Sequence, residues 1–129
     1  MEGENVSLNI LVVDDSAVMR KIIKKALTDS KYTAAEISEA GDGAEGLEVF
    51  DPKKTDLILA DWNMPNLNGL EFIKKVREIK TGKKIVIIMI TTEGSTGKME
   101  EAMDNGVDNY ITKPFTSVQL EQKIDNYFS

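Results

Sequence analysis

The chain contains no cysteine and no histidine among its 129 residues. Without cysteine there is no disulfide framework and no thiolate metal site. Without histidine there is no Ser-His-Asp catalysis, no His-ligated zinc and no imidazole general base. Acid–base or metal chemistry must then fall to carboxylates, lysine, hydroxyls or backbone. Positive charge is also short: 16 Lys and Arg face 22 Asp and Glu, a formal net charge of −6. An acidic chain is a poor ligand for nucleic acid or anionic lipid, because the phosphate term works against it. No apolar run approaches the roughly 20 residues that span a bilayer. The opening Met-Glu-Gly-Glu-Asn is acidic, the opposite of a secretory leader, so the expected location is the cytoplasm.

What the chain does have is an alternation. Five short apolar runs cover Leu8 to Val13, about Ala34 to Ser38, Leu57 to Ala60, Ile85 to Ile90, and about Asn109 to Thr112. Between them, Val18, Ile22, Ile23, Ala26 and Leu27 recur at helical spacing, as do Phe72, Ile73, Val76 and Ile79, and Leu120, Ile124 and Phe128. Asn68-Gly-Leu-Glu71 and Thr116-Ser-Val-Gln119 carry the capping-box spacing of a helix start. Gly106 is placed to stop the fourth helix. Repeated β-α units predict an α/β fold, a doubly wound five-stranded parallel sheet with five helices. Ile85–Ile90 is apolar without alternation, as a strand covered on both faces should be, and the more polar fifth run suits an edge. No linker, repeat or low-complexity segment divides the chain, so a single domain over 1–129 is expected.

Polar residues end the apolar runs at corresponding places. Asp14 and Asp15 follow the first, Asp61 the third, Thr91 and Thr92 the fourth, and Lys113 the fifth. In an open parallel sheet these ends share one edge, where ligands bind. Two carboxylates ~4 Å apart repel by ~4 kcal/mol at an effective dielectric of about 20, so three need a proton or a cation. An oxygen-only donor set suits a hard ion, Mg²⁺ foremost, and Mg²⁺ leaves room for a phosphoryl group. A carboxylate can itself accept phosphoryl, with lysine neutralising the arriving oxygens and a threonine hydroxyl donating to one. A single strand-end Asp is more often a cap or turn residue. Four strand ends carrying this set together are harder to assign to turns.

Asp14-Asp15, Asp61, Thr91 and Lys113-Pro114-Phe115, in that order over about Leu8 to Phe128, resemble the response-regulator receiver domains. Asp61-Trp-Asn-Met-Pro-Asn66 further resembles the stand-alone CheY-type chemotaxis regulators. The resemblance implies the flavodoxin-like strand order 2-1-3-4-5. It implies that Asp61 takes phosphoryl from a phosphohistidine on a CheA-like histidine kinase. Asp15, Asp61 and the Asn63 carbonyl would hold Mg²⁺, with Asp14 acting through water. Lys113 and Thr91 would contact the phosphoryl group, and Lys113-Pro114 would be cis. Tyr110 would be an aromatic switch coupled to Thr91. Asn63 and Glu93 would tune dephosphorylation, by water or by a phosphatase. The implied target is a flagellar motor switch protein, reached by a monomer with no output domain of its own. Ser95 and Thr96 stand where such regulators carry basic residues, and Thr92 where they carry a smaller one.

Phosphoryl transfer adds about −1.5 to −2 charge. Thr91 would draw with it the loop Thr92-Glu-Gly-Ser-Thr-Gly97-Lys98, whose glycines make the backbone permissive. Met99, Met103, Val107, Tyr110 and Lys123 form the candidate output surface. Three other readings compete. An aspartate-nucleophile phosphatase of the haloacid-dehalogenase type expects Asp-x-Asp after the first strand, and here the pair is adjacent. A nucleotide binder expects a glycine-rich turn where Asp14-Asp15-Ser16 stands. A receiver-fold adaptor needs no complete acidic set.

Overall fold

A computed structural model describes residues 7–33 and 35–128. Five parallel strands form one sheet in the order β2-β1-β3-β4-β5: β1 Asn9–Val13, β2 Glu36–Ala40, β3 Leu57–Ala60, β4 Val86–Thr91 and β5 Asn109–Thr112. Five helices connect and follow them: α1 Ala17–Thr28, α2 Gly43–Val49, α3 Gly69–Glu78, α4 Thr96–Asp104 and α5 Ser117–Phe128. The expected α/β architecture and strand order are both present. The second strand runs two residues later than its expected end, because Glu36–Ala40 pairs with Asn9–Val13 and that register sets its bounds. Ala34 and the acidic N-terminus lie outside the described residues.

Alternation along the strands splits the core. Leu11, Val13, Ile58, Ala60, Ile87 and Met89 face the α2, α3 and α4 side. Ile10, Val12, Leu57, Leu59, Ile88 and Ile90 face α1 and α5. All six residues of β4 are buried, as its unbroken apolar run requires. A fully buried Ile or Leu contributes roughly 1.5–3 kcal/mol, so these two layers supply the main driving force.

Each helix start is capped beside the carboxyl ends of the strands. Ser16, Asp42, Asn68 and Ser95 accept from the N–H groups of Met19, Glu45, Glu71 and Lys98 at 3.1, 2.8, 3.0 and 3.3 Å. Thr116 and Gln119 form a reciprocal capping box at 2.9 and 3.1 Å. Gly106, with φ +108°, follows the C-cap of α4, the left-handed geometry that glycine tolerates best. The α1 stripe is narrower than its periodicity predicts. Ile23, Ala26 and Leu27 are buried, but Val18 and Ile22 point outward. They lie on the flank that neither the sheet nor α5 covers.

Candidate functional site

The sheet register builds the site. Val13 pairs with both Ala40 and Ala60, and Thr91 with Thr112. The residues that follow therefore emerge side by side. Asp14 N–H still donates to the Ala40 carbonyl at 3.1 Å, and Asp61 N–H to the Val13 carbonyl at 3.0 Å. The two carboxylates leave the last rungs of adjacent strands on a fixed backbone. Asp15 joins them from the β1–α1 turn, and carboxylate oxygens of Asp14, Asp15 and Asp61 lie within 4.8 Å of one another.

Lys113 crosses from β5 to bridge the buried pair, its ammonium 2.9 Å from Asp14 Oδ2 and 3.0 Å from Asp61 Oδ2. Burial pulls the lysine pKa down, but the bonds and charges of the two aspartates outweigh it and hold it above the ordinary value. The remaining oxygens are also used. Asp14 Oδ1 accepts from Ser16 N–H at 2.9 Å, and Asp61 Oδ1 from Trp62 N–H at 2.6 Å. Asp14 is 1% exposed and Asp61 8%, whereas Asp15 faces solvent with no donor to its carboxylate among the described residues. Nothing described donates to the Asn63 main-chain carbonyl either. A free carboxylate and a free carbonyl beside two carboxylates that share one lysine, all oxygen and net negative, fit a hard divalent cation such as Mg²⁺.

The backbone behind Asp61 is closely supported. Gly69, at the start of α3, donates its N–H to the Trp62 carbonyl at 2.8 Å. A Cβ at Gly69 would stand 1.8 Å from the Asp61 carbonyl oxygen, so only glycine fits. Farther along this loop, Asn66 sits at φ +66°, and its amide donates to Asp42 Oδ2 at 2.6 Å.

Around the rim, Asn63 Nδ2 donates to Glu93 Oε2 at 3.2 Å, joining the loops after β3 and β4. Thr91 is fully buried and its hydroxyl accepts from Glu93 N–H at 3.3 Å. The Tyr110 hydroxyl donates to the Glu93 carbonyl. Burial first, then the charges of Glu93 and Asp61, push the Tyr110 pKa up to about 12. Lys98, from α4, stands 4.8 Å above the Trp62 ring. Lys113-Pro114 is cis. Asp14, Asp15, Asp61, Asn63, Thr91, Glu93, Tyr110 and Lys113 thus share one edge of the sheet. A separate cavity of about 540 Å³ lies between β1, β2 and the segment after α2, away from these groups.

The residues of the candidate output surface differ in exposure. Val107 and Tyr110 are 4% exposed and belong to the core, because the alternation of β5 and the α4–β5 turn points both inward. Met99 packs partly against the same cluster, and of the two methionines only Met103 is well exposed. Lys123 instead helps line a shallow groove of about 200 Å³ with Ile111, Thr112, Pro114 and Gln119, reached by one edge of Tyr110. Sequence reasoning also passed over Arg20 and Glu39. Arg20 donates to the Asp14 carbonyl at 2.5 Å and to Glu39 at 2.9 Å. A buriable arginine one turn into the helix after the acidic pair was the available signal.

The chain is similar to known proteins along most of its length. The family model for the response regulator receiver domain matches residues 10–125. The chain is 45% identical over 119 residues to the chemotaxis protein CheY1 of Helicobacter pylori, covering 92% of this chain and 94% of that protein. It is 42% identical over 120 residues to a Campylobacter jejuni CheY homologue, covering 92% and 91% respectively. Among solved structures it is similar to the chemotaxis response regulator CheY4 of Vibrio cholerae, with a TM-score of 0.83 and 33% identity over 94% of this chain and 98% of that one.

Proposed function

Since the chain belongs to the response-regulator receiver family, we propose that Asp61 is its phosphoryl acceptor and that Asp15, Asp61 and the Asn63 carbonyl hold the Mg²⁺ on which transfer depends. The protein is a CheY-like response regulator, a signalling protein and not a metabolic enzyme. The observation that carries the proposal is the carboxylate triad, its two buried members bridged by Lys113 at 2.9 and 3.0 Å.

The donor is a phosphohistidine on a CheA-like kinase. One Asp61 carboxylate oxygen forms the new P–O bond as the P–N bond breaks, and the departing imidazole nitrogen keeps the electron pair. Mg²⁺, when bound, would neutralise charge on the phosphoryl oxygens, with Asp14 acting through water. The Lys113 ammonium exchanges its bond to Asp61 for one to a phosphoryl oxygen. Its bond to Asp14 keeps it aimed there. The Thr91 hydroxyl, held at rest among the described residues only by a long 3.3 Å contact, turns to donate to another oxygen. Moving Thr91 disturbs Glu93, which also carries the bond to Tyr110. The tyrosine and the segment leading into α4 then shift together. Asn63 and Glu93, joined across the mouth, set how readily water or a phosphatase removes the group.

Similarity to chemotaxis proteins over nine-tenths of the chain supports a flagellar motor switch protein as target and the cytoplasm as location. The β5–α5 groove is the proposed contact face. No described helix is long and apolar enough to cross a membrane.

Trp62 is the only tryptophan and adjoins Asp61. Mg²⁺ should change its emission, and beryllofluoride with Mg²⁺ should change it further. Acetyl phosphate should add the mass of one phosphoryl group, and Asp61→Asn should abolish that gain. Unchanged emission together with an unchanged mass would sink the proposal.

A further inference from the structure

Asp15 differs from its two neighbours. Asp14 and Asp61 engage both carboxylate oxygens with donors, which fix their side chains. Asp15 has no such donor among the described residues, so its placement depends on the backbone that carries it. That backbone is held on both sides: Ser16 N–H, in the peptide after Asp15, donates to Asp14 Oδ1 at 2.9 Å, and the peptide before Asp15 is held by a side chain. The Asp14 carbonyl, the oxygen of the peptide joining Asp14 to Asp15, accepts from Arg20 Nη1 at 2.5 Å.

Arg20 is itself held. Its Nε donates to Glu39 Oε1 at 2.9 Å, and Lys24, one turn farther along α1, donates to Glu39 Oε2 at 2.6 Å. Glu39 lies on β2, paired with Val12 of β1, so the same sheet that positions Asp14 also positions the group behind it. The contact from Lys24 first, and then that from Arg20, overcome partial burial and lower the Glu39 pKa. The carboxylate is therefore charged and keeps its hold on the guanidinium at neutral pH. The planar fork of arginine reaches the carboxylate and the carbonyl from two nitrogens held rigidly relative to each other.

We infer that Arg20, braced by Glu39, is a positioning residue that sets the Asp14–Asp15 peptide and thereby aims the Asp15 carboxylate at the metal. The inference rests on the reading of Asp15 as a Mg²⁺ ligand. Its sign is opposite to plain electrostatics. Removing a cation beside three carboxylates should by charge alone tighten Mg²⁺ binding. Removing a group that orients a ligand should weaken it, typically by about 10- to 100-fold for outer partners of a metal site.

The experiment titrates Mg²⁺ at fixed ionic strength, read by Trp62 emission, on the parent chain, Arg20→Met, Arg20→Lys, Glu39→Ala and Lys25→Ala, each shown folded by far-UV circular dichroism. Methionine keeps the apolar stem and good helix propensity while deleting the fork. Arg20→Met should weaken binding by about tenfold or more. Arg20→Lys should recover part of the loss, since an ammonium can still donate to the carbonyl. Glu39→Ala should weaken binding with Arg20 intact, and Lys25→Ala, whose only described partner is Asp29, should change nothing. Binding as tight as the parent's, or tighter, in Arg20→Met overturns the inference. Should that variant not fold, unchanged affinity in Glu39→Ala does the same. Absence of any Mg²⁺ response in the parent overturns the metal-site reading itself, and the inference with it.

Discussion

Deleting the one cation inside the carboxylate cluster should make the metal-free protein depend on Mg²⁺ for its stability. The perturbation is Lys113→Met, which keeps the aliphatic stem. At an effective dielectric of about 20, two carboxylate oxygens 4.8 Å apart repel by about 3.5 kcal/mol, and each of the Lys113 contacts at 2.9 and 3.0 Å attracts by about 5.5 kcal/mol. Desolvation of a side chain only 12% exposed offsets part of that attraction. Breaking a buried pair by removing one partner typically costs about 3–5 kcal/mol. Against a total stability of about 5–15 kcal/mol, such a loss leaves the metal-free variant near its unfolding threshold. Urea unfolding in EDTA, followed by circular dichroism, should show a lower midpoint with an unchanged slope. Saturating Mg²⁺ should raise the midpoint more in the variant than in the parent, because the ion then replaces the positive charge that Lys113 had placed between the carboxylates. A loss under about 1 kcal/mol in EDTA, or an equal Mg²⁺ gain in both proteins, would refute the reasoning: the carboxylates would not be repelling one another across the cluster.

Asp61→Asn tests the same balance from the other side. Its repulsion from two carboxylates, about 7 kcal/mol, exceeds its attraction to Lys113, so metal-free stability should rise by about 1 kcal/mol in urea unfolding while phosphoryl acceptance is lost. Gly69→Ala drives a Cβ into the Asp61 carbonyl and should cost about 3 kcal/mol or more, with Mg²⁺ affinity falling too, as read by Trp62 emission. Lys113 and Tyr110 both have raised folded pKa values, so each contributes stability that is complete below its unfolded value, about 10.4 and about 10, and lost as pH climbs through the folded one. Metal-free melting temperatures should fall above about pH 10, less steeply in Tyr110→Phe, and ultraviolet titration should show one tyrosine ionising near pH 12.

Strand positions were legible because burial on both faces leaves a distinct mark. β3 and β5 begin and end where their apolar runs do. β2 lies two residues later than its composition suggests, since its side chains alternate between exposed and half-buried and its bounds come from pairing with β1. The charged ends of β1, β3, β4 and β5 were legible as a cluster because parallel topology converts sequence order into one edge. Burial at the periphery was not. Val18 and Val107 are chemically alike, yet one is 68% exposed and the other 4%, a distinction made by which neighbours happen to cover them. The N-caps at Asn68 and Thr116 stood out through a Glu or Gln three residues on. Asp42-Gly-Ala-Glu45 carries the same spacing, but the helix it opens is only seven residues long and offers little periodicity behind the cap. Arg20 carried only a weak signal for a different reason: its carboxylate partner, Glu39, lies nineteen residues away and meets it only once β2 is laid beside β1.

The register that pairs Val13 with Ala60 acts as a ruler for the ion site. The gap between Asp14 and Asp61 is set by neighbouring strands in a hydrogen-bonded ladder, not by the loops that follow them. Sequence drift in α2, in the α3–β4 connection or in the output face leaves that gap alone. The recognition surface of such a chain is therefore free to diversify while its charge chemistry stays calibrated. New partners can be acquired without retuning the reaction that they listen to.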